Sequence, residues 1–244
     1  MNPWLDWKLE IKEAWNNSPE EFLQNRKIKH TMHPNNRAWA RMFYDKIQSK
    51  DLLESVKDPD FGKPNRTYKE YSLTTLQQMF YFERLEEYFD YNKIECIVDV
   101  GAGYGNFYRL VKQLGYNKEY RMIDFPELLE LQEHYINNTI DQQNLNYLEL
   151  TESNITPPSN SLLYATFSIS EMNKADRSIL EKVYNKYTYI FITYNRNFNS
   201  ISNTDYFSNL KEQLNDKFEI KILDCPVVTN LGHQYFIGVK RGII

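Results

Sequence analysis

The chain has 244 residues, of which 41% are hydrophobic and 15% aromatic, enough to fill the core of one large domain or of a domain with a small appendage, and wholesale disorder is excluded. Its formal net charge of −4 provides no general attraction to a phosphate backbone, so no nucleic-acid partner is expected. Two cysteines, Cys96 and Cys225, have no second thiol or histidine at metal-ligand spacing and read as small buried residues of a reducing compartment.

The first seven residues, Met1 to Trp7, lack the basic start and apolar stretch of a secretory leader. No apolar run reaches the roughly 18 residues of a membrane span. A cytoplasmic location without a membrane span is therefore expected.

Residues 1–92 are helical in pattern. One helix is predicted from Leu5 to Trp15, and a second from Pro19 to Ile28 with Ser18 as its N-cap and Pro19 at the first helical position. A third runs from Arg37 to about Leu53. The cations Arg26, Lys27, Lys29, Arg37 and Arg41 cluster here and read as solvated helix faces. The turn-rich segment Asp58 to Asn65 reads as a loop. A long helix follows from Leu73 to Phe89. His30 and His33, with Arg37 nearby, read as members of a polar loop or as lining a substrate cleft from above, and His134 falls within a later helix.

Beyond Tyr91 strand-like and helical runs alternate. Strands are predicted at Ile94–Val100, Tyr120–Ile123, Leu145–Leu150, Leu162–Phe167, Tyr189–Tyr194, Phe218–Leu223 and Gln234–Lys240, with helices over 105–115, 126–139, 173–186 and 203–215. Such alternation implies an α/β, doubly wound, mostly parallel sheet with helices on both faces. The last two strands lack a helix between them and should pair antiparallel at one edge.

The first of these strands ends in Asp99-Val100-Gly101-Ala102-Gly103-Tyr104-Gly105, and a helical pattern starts at once. Glycines in such a turn let backbone N–H groups approach a ligand closely. A dinucleotide-binding turn places its third glycine three positions after the second, whereas here it comes after two. The D-x-G-x-G-x-G arrangement resembles motif I of the class I S-adenosylmethionine-dependent methyltransferases. The resemblance implies their seven-stranded, Rossmann-like sheet over residues 93–244, with S-adenosylmethionine as cofactor and Asp99, Gly101, Ala102, Gly103 and Gly105 at its site.

Asp124 ends the second strand, 19 residues after Gly105, where a carboxylate accepts both hydroxyls of a ribose. The same position suits an N-cap for the helix that begins at Pro126. Phe125 has the flat ring to stack on an adenine, or to act as a core residue. In methyltransferases the adenine usually lies against the loop after the third strand, here Thr151 to Asn154. The fourth strand leads into Phe167-Ser168-Ile169-Ser170-Glu171-Met172, the edge that faces the methionine part of the cofactor and the acceptor, and Ser168 is assigned to the cofactor.

Three segments resemble a narrower family, the sugar O-methyltransferases found near bacterial surface-polysaccharide genes. They are Met122 to Leu128 with Gln132 and Tyr135, then Phe167 to Met172, and Tyr235 to Lys240. That resemblance spans about residues 60–240 and implies methylation of a hydroxyl on a sugar or sugar-bearing precursor. Residues 1–55 match no family.

A sugar hydroxyl needs a general base. Glu171, just past the fourth strand, is one candidate, either taking the proton or fixing the sugar. His233, before the last strand, is a second, since an imidazole titrates near neutral pH. After the fifth strand, Asn195 and Arg196 suit sugar hydroxyls or a diphosphate. Trp39, Tyr71 and Tyr81 have flat faces that suit a sugar ring, but aromatic residues at such spacing are usually core. No close carboxylate cluster such as D-x-[DN] is present, so no required metal is expected.

Two alternatives stand beside the carbohydrate reading. One is methylation of a nitrogen in RNA or protein, whose enzymes commonly carry Asn/Asp-Pro-Pro-Tyr/Phe after the fourth strand, where this chain has Ser168 to Glu171. The other is a cofactor-binding subunit without catalysis. The acceptor is expected to be a small molecule or glycan; oligomeric state, a homo-oligomer included, stays open.

Overall fold

The computed structural model describes residues 4–227 and 229–242; Met1 to Pro3 of the segment read above for a leader lie outside them. β1 (Cys96–Val100), β4 (Ser161–Thr166) and β5 (Tyr189–Asn195) are near-continuous apolar runs buried on both faces. Such runs require helices on either side and so form the middle of a sheet. β2 (Glu119–Ile123) and β3 (Leu145–Leu148) extend the sheet on one side of β1. β8 (Phe218–Asp224) alternates buried and exposed residues at the far edge, paired with β9 (His233–Lys240). Among the described residues these seven strands form one sheet in the order β3-β2-β1-β4-β5-β9-β8. β1 to β5 are parallel, and β9 runs antiparallel to both β5 and β8. The predicted α/β class and edge hairpin are both present. The chain reverses direction across the sheet between β1 and β4, where a crevice opens beyond their carboxyl ends.

α6 (Asn106–Gln113) and α7 (Pro126–Asn137) pack on one face, α10 (Lys174–Glu181) and α11 (Asn203–Leu214) on the other. Two short helices stand where none was predicted: α8 (Glu152–Ile155), capped by Thr151, in the segment read as a loop, and α9 (Ser168–Glu171) just after β4. A small hairpin of β6 (Asn197–Phe198) and β7 (Ile201–Ser202) precedes α11.

The amino-terminal region departs from expectation at two places. After α1 (Trp4–Asn17), the predicted helix from Pro19 is interrupted. Gly62 N–H donates to Glu20 O at 3.0 Å and Leu23 N–H to Gly62 O at 3.2 Å, so these backbone groups serve a neighbouring loop instead of a helix. Phe22 and Leu23 are driven into the core, and α2 (Arg26–Thr31) restarts at Asn25, whose side chain accepts from Lys27 N–H.

The helix from Arg37 likewise divides into α3 (Arg37–Tyr44) and α4 (Lys50–Ser55). Glu83, from α5 (Leu73–Glu86), accepts the N–H groups of Gln48 and Ser49 at 3.0 and 2.6 Å and holds the chain open there. Ile11, Phe22, Ile28, Phe43, Phe80, Leu110 and Tyr135 belong to one buried apolar cluster. The amino-terminal helices therefore share a core with the sheet's own helices.

Candidate active site

The three glycines after β1 have left-handed backbones, with φ of 74°, 62° and 90° at Gly101, Gly103 and Gly105, and each has its own reason to lack a side chain. A β-carbon at Gly101 would collide with Ser168. At Gly105 it would press on Ile136 and Met122 at 3.3 Å. At Gly103 it would project into open space, with only Met32 Sδ near at 3.9 Å. That space is a cavity of about 560 Å³ at the switch point of the sheet.

Of the residues singled out by sequence, Gly101, Ala102, Gly103, Asp124, Phe125, Ser168, Glu171, Asn195 and His233 line this cavity. Asp99, Gly105 and Arg196 do not. Asp99 lies beneath the turn, in β1, where Tyr120 Oη donates to its Oδ2 at 2.6 Å. Gly105 opens α6 and packs on α7. Arg196 turns away to pair with Asp224 at 2.8 Å, and Asp224 also accepts from Gln234. The partners of these three are thus internal ones, outside the cavity lining.

Two carboxyls under and beside the turn resist ionisation. Burial pushes Asp99 up to about 7 against the Tyr120 hydrogen bond, with the nearby Asp124 charge adding to the rise. Burial also lifts Asp124 to about 7, opposed by donors from Phe125 N–H, Gln132 Nε2 and Ala102 N–H. Asp124 does not cap α7; that position is Phe125. Gln132 bridges Asp124 Oδ2 and Gly103 O at 2.8 and 3.0 Å, which ties the acid to the glycine turn, while its own Oε1 is buried without a partner.

The opposite wall starts where β4 ends. Phe167 sits in the left-handed region at φ 67°, a cost carried by its N–H bond to Thr193 O at 2.8 Å and by Ser170 Oγ, which donates to Phe167 O. This elbow turns Ser168 back under Gly101, its Oγ donating to Val100 O, and turns Glu171 into the cavity. Glu171 accepts from Trp4 Nε1 at 2.7 Å, and its burial raises its pKa. His233 faces Asn195 across the β5–β9 pairing, and its ring lies 4.7 Å from that of Phe167. Burial lowers His233 to about 4, so the imidazole is neutral at pH 7, and Nδ1 is buried without a partner.

The amino-terminal helices close the remaining side. Trp4, His30, Met32, Trp39, Thr74 and Gln78 line the cavity. Trp39 lies at the cavity wall, whereas Tyr71 and Tyr81 are core residues, as aromatic residues at that spacing usually are. His33, read as part of a polar loop, is instead fully buried, accepts from Asn65 N–H at 3.0 Å and is lowered to about 4 by that burial. His134 stacks on Trp15 at 5.1 Å. After β3 it is Glu149 and Leu150 that reach the cavity, while Thr151 to Asn154 curl into α8. His30 stands at the cleft, one of the two places the sequence left open for it, whereas Trp4 and Met32 carry no motif and are revealed only by the packing of the amino-terminal helices. Among the described residues no group of three His, Cys, Asp or Glu side chains is placed to hold a metal, and no helix is long and apolar enough to cross a membrane.

No family model and no curated protein matches the chain. Solved structures do. The methyltransferase domain of bacterial CtHen1-CN aligns with a TM-score of 0.52 at 10% identity, over 67% of this chain and 97% of that one. A SAM dependent methyltransferase from Aquifex aeolicus aligns at 0.47 and 18% identity, over 65% and 88%. The glycopeptide N-methyltransferase MtfA, complexed with S-adenosylmethionine, aligns at 0.48 and 10%, over 68% and 87%. The last two scores fall below 0.5, so of these three the correspondence rests on the first. With the strand order and the edge hairpin, it shows that the chain has the Rossmann-like methyltransferase fold.

Proposed function

We propose that this chain transfers a methyl group from S-adenosylmethionine to a hydroxyl of a sugar or sugar-containing precursor of a surface polysaccharide. One observation carries the reading. Gly103, with open space where a side chain would stand, and the buried carboxylate Glu171 face a single cavity of about 560 Å³. Cavities of about 300–1,000 Å³ hold drug-sized ligands.

The residues present fit the cofactor. The bare main chain at Gly103 accepts close approach, Asp124 offers carboxylate oxygens to ribose hydroxyls, and Phe125 and Leu150 give apolar cover to an adenine. When bound, S-adenosylmethionine supplies a methyl group already activated on a sulfonium.

The protein's part is then to place an acceptor oxygen in line, remove its proton and exclude water. Glu171 takes the proton: it is buried, its pKa is raised toward the working range, and no cation pairs with it among the described residues. His233, held near 4, is too weak a base for that role and serves as a neutral hydrogen-bonding partner beside Asn195. Residues 1–92 act as the cap that shapes the acceptor side, and residues 93–244 as the transferase domain.

Purified protein mixed with methyl-labelled S-adenosylmethionine and separate pools of nucleotide sugars, capsular glycan and RNA tests this directly. Label should enter a carbohydrate pool; label entering RNA alone overturns the proposal. Glu171→Gln should bind S-adenosylhomocysteine as the parent does while transfer falls about 10²–10⁴-fold.

A further inference from the structure

α1 touches both halves of the site. Its amino end reaches α9, where Trp4 Nε1 donates to Glu171 Oε2 at 2.7 Å. Its body lies along α7, with Lys8 paired to Glu127 at 3.0 Å and Lys12 to Glu130 at 2.7 Å. Lys8 also sits over the Phe125 ring, 5.0 Å from its centre. Trp4, Phe125 and Glu171 all line the cavity. One helix therefore spans from the Asp124–Phe125 wall to the carboxylate on the other side. Among the described residues no strand or loop of the sheet gives Glu171 a side-chain hydrogen-bond donor.

We propose that Trp4 is a positioning residue for Glu171, reaching across the cavity from α1 to aim the carboxylate at the acceptor. This rests on Glu171 being the base of the reading above. The chemistry of the donor matters. Lysine or arginine at this point would fix the carboxylate by an ion pair and lower its affinity for a proton. An indole N–H is an uncharged donor with no acceptor capacity, so it orients one oxygen without neutralising the group. Trp4 occupies Oε2, and Oε1 is left to the acceptor hydroxyl, since no hydrogen bond reaches Oε1 among the described residues. The other titratable groups around the cavity are His30, Tyr104, Asp124, Glu149, Asp176 and His233. None makes a hydrogen bond or ion pair with Glu171.

The test is a pH titration followed by NMR on the full chain without added ligand. The Trp4 indole resonance is assigned from Trp4→Phe and the Glu171 carboxyl carbon from Glu171→Gln. Both signals should move with one shared midpoint, and the indole signal should stop titrating in Glu171→Gln. In Trp4→Phe the Glu171 midpoint should rise, because a hydrogen bond to the charged form has been lost. With a labelled acceptor in hand, kcat of Trp4→Phe should fall about tenfold, the loss of one hydrogen bond to a charged group, and stay low on the alkaline plateau of its pH profile, where Glu171 is ionised in both proteins, with KM for S-adenosylmethionine unchanged. An indole signal blind to the Glu171 titration in the parent protein overturns the contact and leaves Glu171 in place as the base. Full transfer by Glu171→Gln removes the base itself, and this role with it.

Discussion

Gly101 and Ser168 share a space too small for one more methyl group. A β-carbon added to Gly101 would lie closer to Ser168 Cβ than the 3.0 Å that real β-carbons keep. Ser168 cannot retreat, because its hydroxyl donates to Val100 O and its backbone follows the strained elbow at Phe167. Gly101→Ala should destabilise the fold by about 2–4 kcal/mol, from left-handed strain plus overpacking. The double change with Ser168→Gly should recover part of that loss. Urea midpoints measure both, and an unchanged midpoint for the single variant would refute the packing.

Gly103→Ala should behave differently. Its methyl group would meet no protein atom closer than Met32 Sδ at 3.9 Å, so folding loses only the cost of left-handed strain, about 1 kcal/mol. The methyl group instead stands where the ligand's contacts lie. Calorimetry with S-adenosylhomocysteine should show affinity weakened at least tenfold while the melting temperature moves little.

Asp124 makes cofactor binding depend on pH. In the proposed cofactor role the ionised carboxylate accepts two hydroxyls, and burial places its loss of charge at about 7. Affinity for S-adenosylhomocysteine should hold above that pH and weaken as pH falls through it, by up to about tenfold for each unit. Asp124→Asn should be weaker throughout and flat across the same range. A parent protein with constant affinity would contradict the assignment of this acid to the ribose.

Asp99 affects stability with the opposite slope. Its folded-state pKa of about 7 lies above the ordinary 3.8, so the folded chain retains a proton that the unfolded chain has released. Stability contributed by this group therefore falls as pH rises between those values and stays low above them. Asp99→Asn keeps an oxygen for the Tyr120 hydroxyl and removes the cost of burying a charge. Its advantage over the parent should grow from nothing near pH 4 to at most ~4 kcal/mol above pH 7. Denaturation midpoints at the two extremes decide it; an advantage independent of pH would assign the effect elsewhere.

Arg109 anchors the amino-terminal region to the helix that follows the glycine turn. Fully buried, it donates to Asn106 Oδ1 at 3.0 and 2.9 Å, to Gln113, and to the carbonyl of Lys57, with Asp58 3.8 Å away. Asp58 in turn accepts from Ser72 and Thr75 at the start of α5. Arg109→Met should cost about 3–5 kcal/mol by stranding a buried carboxylate. The double variant with Asp58→Asn should be more stable than Arg109→Met alone. By the same packing, a chain beginning at residue 56 lacks Ile11, Phe22, Ile28 and Phe43 from the common core and should fail to transfer methyl groups.

The sheet was legible because each strand carries its own pattern. Ile97 to Val100, apolar but for Asp99, and Leu162 to Ala165 carry no polar alternation, as suits strands covered on both faces. The break between Tyr44 and Lys50 was not legible, because it depends on Glu83, far along the chain, capturing the N–H groups of Gln48 and Ser49. The division of labour among the glycines was hidden for the same reason. Spacing identifies all three as special, but only their neighbours tell which faces a ligand, which faces Ser168 and which faces Ile136.

Local pattern alone therefore determined the order of strands and helices, the glycine turn and the acid that ends β2, since each depends on residues a few positions apart. Tertiary structure alone decided that Trp4 meets Glu171, that His33 is buried and neutral, and that Arg196 faces away from the cavity. Those outcomes are set by which surfaces come together between residues 28 to 167 positions apart in the chain. Burial and the choice of hydrogen-bond partner, the two things that tune a side chain's chemistry, exist only once they have met.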